Sequence, residues 1–252
     1  MRTAGPSCAR WSLATRGLAG LVLAAAVAAC ASQAPAPPIA GTGTVWGYLR
    51  LVPREGVTPV KPGASPYADR RMADVEFVDY SKPGFAVVYV DEGRSPAGAA
   101  QLEIRTSGVR TRLDPTHAAV GAGGVLMVSN ASGAAHVLSA PALQLVRRLE
   151  PGQQVEIAVP NAGEQSLFLL DVPRSEATVF VSPGPFVVVS ADGRFELSGL
   201  APGSHTLLAW HPRFPPARAP LQIEPDSVVQ LDLEMGVDQR DDVPASAPSD
   251  HP

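Results

Sequence analysis

The strongest constraint on the fold of this chain is a polarity pattern of period two that recurs along most of its length. Val45, Gly47, Leu49 and Leu51 alternate with Trp46, Tyr48 and Arg50; Leu102 and Ile104 alternate with Glu103 and Arg105. The same rhythm returns in Val109, Thr111 and Leu113 against Arg110 and Arg112, and in Val155, Ile157 and Val159 around Glu156 and Ala158. Near the end, Val229, Leu231 and Leu233 alternate with Gln230, Asp232 and Glu234. Successive side chains of a strand point to opposite faces, so each run predicts a half-buried strand with one wet face. Phe85–Val90 and Phe186–Val189 are continuous apolar runs and predict central strands covered on both sides. Turn signals separate the runs: Lys82-Pro83-Gly84, Gly121-Ala122-Gly123-Gly124, Glu150-Pro151-Gly152, Ala191-Asp192-Gly193 and Ala201-Pro202-Gly203. With 26 Pro and 23 Gly in 252 residues, long helices are excluded, and only Ala140–Arg148 offers room for a short one. The expected class is all-β, as one sandwich or a pair.

The N-terminal residues follow another logic. Arg2, Arg10 and Arg16 precede an apolar run, Leu18–Ala29, that is too short for a permanent span and has the length of a signal-peptide core. The run ends in Val27-Ala28-Ala29-Cys30, which resembles the bacterial lipobox. That resemblance implies removal of residues 1–29 and a lipid on Cys30, making the membrane a partner. Ala31 and Ser32 stand where an Asp would imply retention at the inner membrane, so the expected location is the periplasmic face of the outer membrane. Cys8 would leave with the signal, and a lipidated Cys30 can form neither a disulfide nor a thiolate metal site. Three arginines leave as well, taking the formal charge from −4 to −7. A nucleic-acid partner of the usual kind is excluded by this acidic balance, since counterion release needs a basic face. Residues 30–43, rich in Pro and Ala, read as a tether, and the polar, Pro-rich residues 237–252 as a disordered tail.

Two stretches carry family resemblances. Residues 187–211 join Val187-Val188-Val189, an Asp192-Gly193 turn, Phe195-Glu196-Leu197, the Leu200-Ala201-Pro202-Gly203 turn and a strand ending in Trp210-His211. This stretch resembles the carboxypeptidase regulatory-like, or transthyretin-like, β-sandwich, a module that is usually a passive scaffold or binding surface. Residues 97–182 resemble the periplasmic plastocyanin-like proteins often labelled methylamine-utilization proteins. The Gly121–Gly124 turn leads to a strand ending in Asn130, then to His136, the Pro151-Gly152 turn and the segment Ser166–Val172. The resemblance implies a cupredoxin-like Greek-key sandwich. It also implies positions for four copper ligands, but only His136 keeps a ligand type. The Cys position falls at Leu169, the second His at Val172 and the Met near Ser175. One imidazole cannot hold copper, so no metal or other cofactor is expected, and His136 is a vestigial ligand. The cupredoxin-like segment is expected either to be inserted in the transthyretin-like sandwich or to precede it. In the inserted arrangement, residues 44–92 supply the first strands and 185–236 the rest.

No Gly-x-Ser-x-Gly elbow, His-Glu-x-x-His helix, Walker loop or dinucleotide fingerprint occurs, so an enzyme is not expected. The loop from Arg54 to Asp79, with Arg54, Lys61, Tyr67, Arg70 and Arg71, reads either as a binding loop or as a mobile one. Asp74, Glu76 and Asp79 lack the glycine and spacing of a calcium loop. His117 is expected at the surface, His205 across a strand or in solvent, and Trp210-His211 as a cap of the sandwich. Trp46, Tyr48 and Tyr67 are the aromatic cluster that a glycan would use. The reading is a non-catalytic, lipid-anchored binding or scaffolding protein, its candidate partners being a periplasmic protein or a glycan. Carbohydrate binding and copper-dependent electron transfer are the alternatives.

Overall fold

A computed structural model describes residues 35–58, 78–96 and 98–237. Strands β1 (Gly43–Val52) and β2 (Val87–Val90) come first. Then follow β3 (Ala99–Ser107), β4 (Arg110–Asp114), β5 (His117–Gly121), β6 (Gly124–Asn130), β7 (His136–Ala140), β8 (Leu145–Leu149), β9 (Gln154–Val159), β10 (Gly163–Leu169) and β11 (Glu176–Ser182). The chain closes with β12 (Phe186–Val188), β13 (Arg194–Leu200), β14 (Gly203–His211), β15 (Phe214–Ile223), β16 (Val228–Gln230) and β17 (Leu233–Gly236). The protein is an all-β sandwich fold, and its hydrophobic residues gather in two cores.

One core lies between the sheets β4-β3-β6-β9 and β5-β11-β10-β7-β8. Leu102, Ile104, Leu113, Leu126, Leu138, Leu149 and Leu167 are its largest fully buried members. Strands β1, β2 and β12 to β17 enclose the other, around Leu49, Phe195, Leu200, Leu207 and Ile223. There β1 pairs antiparallel with β13 and parallel with β16 and β17, while β2 sits between β12 and β14. The alternation explains these burials: Val45, Leu49 and Leu51 are buried while Arg50 is exposed, and Leu102 and Ile104 are buried while Arg105 is exposed. Among the described residues no helix is long and apolar enough to cross a membrane.

Four local expectations are corrected. The run Phe186–Val189 gives β12, which is an edge strand and not a central one, and Val188 is exposed. Val109 occupies the β3–β4 turn, fully exposed, and does not share the buried face of Leu113. The Ala140–Arg148 segment holds only a single 3-10 turn, Pro141–Leu143, before becoming β8. Its turn is stopped by Gln144 in the left-handed region at φ 52°, where the helix cannot continue. The run from Val229 to Leu233 is two strands, split at Leu231-Asp232. There the Leu231 N–H donates to the Trp46 carbonyl at 2.9 Å, and the Asp232 carboxylate accepts from the Tyr48 N–H at 2.9 Å. The approach is so close at Gly47 that any Cβ would overlap the Leu231 carbonyl.

An aromatic seam joins the sheet holding β2 and β14 to the sheet holding β5 and β11. Phe180 points away from its own core, on β11 between Val179 and Val181, which point into it. Its ring stacks on Trp210 at 4.8 Å and meets Tyr89 at 5.0 Å. Phe85 touches Trp210 at 6.3 Å and stacks on His117 at 5.7 Å. Trp210 therefore belongs to this seam, and His117, expected at the surface, is half covered by Phe85. Replacing Phe180 by Ala removes the ring at the centre of the seam. The variant is expected to lose about 3–5 kcal/mol of unfolding free energy in urea denaturation, whereas a surface substitution on β8 leaves it nearly unchanged.

Candidate functional site

His136 opens β7, and Asp171 follows β10. The antiparallel register that sets Leu169 against Leu138 brings the two side chains together. The His136 Nδ1–H donates to Asp171 Oδ2 at 2.7 Å, since an ionised carboxylate can only accept. The Val137 N–H donates to Asp171 Oδ1 at 2.9 Å. Partial burial pushes the Asp171 carboxyl upward in pKa, but the hydrogen bonds from Val137 and His136 outweigh it and hold the group below the usual carboxylate range. His136 is buried, and its Nε2 has no hydrogen-bond partner among the described residues.

Beside it, Asn130 is buried and fully used. Its Nδ2 donates to the carbonyls of Ala134 at 2.8 Å and Leu149 at 2.9 Å, and its Oδ1 accepts from the Ser132 N–H and hydroxyl. This network ties the β6–β7 connection to the end of β8.

The three positions at which a copper site would need sulfur and imidazole have other tasks. Leu169 is buried in the core and Val172 packs against that core. Ser175 is buried, and its Oγ accepts from the Leu113 N–H at 3.3 Å, pinning the β10–β11 loop to β4. This donor set does not fit copper, which needs two imidazoles and a thiolate. Among the described residues no group of three or more His, Cys, Asp or Glu side chains is arranged to hold a metal ion.

Of the aromatic cluster, Trp46 and Tyr48 stand on the outer face of β1 with ring centroids 6.5 Å apart, crossed at 72°. They form a corner and not a flat row. The Arg194 guanidinium lies 5.9 Å from the Trp46 ring and bonds Glu196 at 2.9 Å. Tyr48 also lines a shallow groove of about 390 Å³ with Arg50, Tyr80, Ser81 and Asp192. Arg54 is exposed just beyond β1. Cys30, Lys61, Tyr67, Arg70, Arg71, Asp74 and Glu76 lie outside the described residues. Sequence reasoning missed Asp171 and Tyr80, and it named Ser175 only as the position of an absent Met, without its bond to Leu113. Asp171 had a usable signal, an acid two residues past Leu169, in the turn that follows that strand.

His211 is buried and held between two backbone groups: Nε2 donates to the Pro83 carbonyl at 3.0 Å, and Nδ1 accepts from the Arg213 N–H at 3.0 Å. Burial pushes its pKa down, with Arg213 and His117 adding to the shift against the bond to Pro83. His205, half-buried, meets the Ala201 carbonyl through Nε2 at 2.7 Å.

No protein-family model and no curated protein matches the sequence. Among solved structures, a purple cupredoxin from Nitrosopumilus maritimus is 19% identical over 33% of this chain and 99% of its own, with TM-score 0.29. Oxidized plastocyanin from Dryopteris crassirhizoma is 14% identical over 32% of this chain and 99% of its own, at 0.29. An oxidized mutant of amicyanin is 14% identical over 38% of this chain and 98% of its own, at 0.30. These neighbours are cupredoxins, each matching about a third of the chain.

Because the Asp171 carboxylate is held below its ordinary pKa, its contribution to stability is present above about pH 4, the unfolded value, and is lost as pH falls through the folded value. Asp171→Asn is therefore expected to be less stable than the parent at pH 7, with the two converging in acid. Urea titrations at both ends of that range measure it, and a difference that grows on acidification contradicts the assignment.

Proposed function

We propose that this chain is a non-catalytic, lipid-anchored protein of the outer membrane, facing the periplasm, that binds or scaffolds. In this reading a cupredoxin-like sandwich without its copper ligands is carried by a transthyretin-like one. The observation that supports it most is the reuse of the ligand loop. Leu169 and Val172 serve the core, Ser175 ties the loop to β4, and the one remaining imidazole is bonded to Asp171. A loop spent on packing supports a structural role for the sandwich, with binding displayed on its surface. The anchor rests on Cys30 and the residues before it.

In cell fractionation, the parent is expected with the outer membrane and Cys30→Ala in the soluble fraction or retained uncleaved. Correct processing and membrane recovery of the Ala variant contradict the lipid anchor. Titration of the purified chain with Cu(II) is expected to give no intense visible band of the thiolate–copper kind; such a band contradicts the loss of the metal site.

Carbohydrate binding is a second reading, favoured by the Trp46–Tyr48 corner and the groove shared by Tyr48, Tyr80, Arg50 and Asp192. Under it, a glycan array registers affinity that drops at least about tenfold in Trp46→Ala, the loss of about 1.4 kcal/mol expected for one stacking ring. An array without hits, or hits untouched by the substitution, removes this reading.

A further inference from the structure

The segment that leads into β1 is laid on the sandwich. Residues 30–43 read as a tether in the sequence, but the Ala36 N–H donates to Glu196 Oε1 at 2.8 Å and the Gly41 N–H to Asp226 Oδ1 at 2.7 Å. Between them the Ile39 carbonyl accepts from the Thr42 N–H at 2.9 Å and from its hydroxyl at 2.7 Å. The Ile39 Cδ1 lies 3.8 Å from where a Cβ on Gly199 would stand. The segment thus runs along β13, the edge strand of the β13-β1-β16 sheet, and it is fixed there from Ala36 onward. Only residues 31–35 separate Ala36 from Cys30. A trans chain of that length reaches at most about 20 Å.

The outer face of the same sheet is amphipathic. The register sets Trp46 against Glu196 on one side and Gln230 on the other, and Tyr48 against Arg194, so these side chains share that face. Val228, set against Thr44 two residues before Trp46, stands on it as well and is 43% exposed. Ile39, on the docked segment beside β13, is 64% exposed. The charges here come in opposite pairs, Arg194 with Glu196 at 2.9 Å and Arg50 with Asp232 at 3.7 Å. Half-buried Trp and Tyr with bare aliphatic groups around them suit the boundary between water and lipid, where a ring sinks its apolar body and keeps its polar end wet.

We infer that this face rests on the bilayer that holds the lipid of Cys30, with Trp46 and Tyr48 at headgroup level. The inference rests on the lipid-anchored reading above, and it gives the Trp46–Tyr48 corner to the bilayer in place of a glycan. The short span from Cys30 to Ala36 supplies the reason. A body held on so short a lead meets the surface at an effective concentration on the order of millimolar, so a contact too weak to bind a membrane unaided is enough. The lead joins the sandwich at Glu196, the residue opposite Trp46, and so the strand edge nearest the anchor is the edge of this face. Because the arginines are paired, the contact depends on apolar burial at the interface and needs no anionic headgroup.

The test is quenching of tryptophan emission by lipid. The full chain, processed in a bacterial host, is reconstituted into vesicles of phosphatidylcholine brominated on its acyl chains, with unbrominated vesicles as reference. The sequence has three tryptophans, and Trp11 leaves with residues 1–29, so Trp46 and Trp210 report. Trp210→Phe leaves Trp46 as the emitter and is expected to lose most of its emission to bromine. Trp46→Phe leaves Trp210, stacked on Phe180 in the seam, and is expected to keep its emission. The parent is expected between the two. A parent quenched no more than Trp46→Phe overturns the inference even where Trp210→Phe fails to fold, and so does equal quenching of both tryptophans. Mass spectrometry of the N-terminal peptide tells the two failures apart. A lipid on Cys30 with Trp46 unquenched overturns this surface and leaves the anchor standing, whereas an unmodified Cys30 removes the anchor and the surface with it.

Discussion

The structure depends most on how β1 is satisfied. A strand with neighbours on both sides needs a hydrogen-bonded ladder along each edge, and β1 takes its ladders from β13, β16 and β17, all near the opposite end of the chain. No local hairpin can substitute for these partners. Closing so long a loop is entropically costly, though the cost grows only slowly with length. Until it closes, Val45, Leu49 and Leu51 have no core to enter. A segment that forms its own core while the ends are apart lowers that difficulty, and the strands from β3 to β11 make such a core.

Much of this was legible in the sequence. The alternation of Val45, Leu49 and Leu51 with Trp46, Tyr48 and Arg50 specifies both the strand and its buried face, because a one-residue slip would put every leucine in water. What escaped was wherever a tertiary neighbour decided the outcome. Val109 continues the alternation perfectly, yet the chain must reverse somewhere, and Gly108 just before it, at φ 61°, places the reversal there. The break at Leu231-Asp232 depends on the backbone approach to Gly47, and alternation alone carries no trace of it. Phe186–Val189 is as apolar as Phe85–Val90, and only the count of neighbours in the sheet distinguishes an edge from a centre. For the candidate site, residue identity was enough to say that Leu169, Val172 and Ser175 do not hold copper. The pairing of His136 with Asp171 and of Ser175 with Leu113 required knowing which strands lie side by side.

The β10–β11 loop and the end of β10 act as a joint. Ser175 gives its hydroxyl to β4, Leu169 its side chain to the core, and Asp171 its carboxylate to β7. Each contact favours rigidity over an open coordination position. Arg174 departs from that trend: its backbone conformation is one that stability alone would give to glycine.

The relation of β2 to β12 carries a consequence of another kind. The two strands are antiparallel neighbours, Val90 donates its N–H to the Pro185 carbonyl at 3.1 Å, and Gly184 lies against the Val90 backbone so closely that no side chain fits there. They lie as the two arms of a hairpin would, with strands β3 to β11 between them in the chain. The chain leaves and re-enters at adjacent points, so the core of β3 to β11 is tied to the other by this two-stranded stem as well as by the aromatic seam. Such an arrangement leaves β1, β2 and β12 to β17 with a core of their own, whatever length of chain runs between β2 and β12.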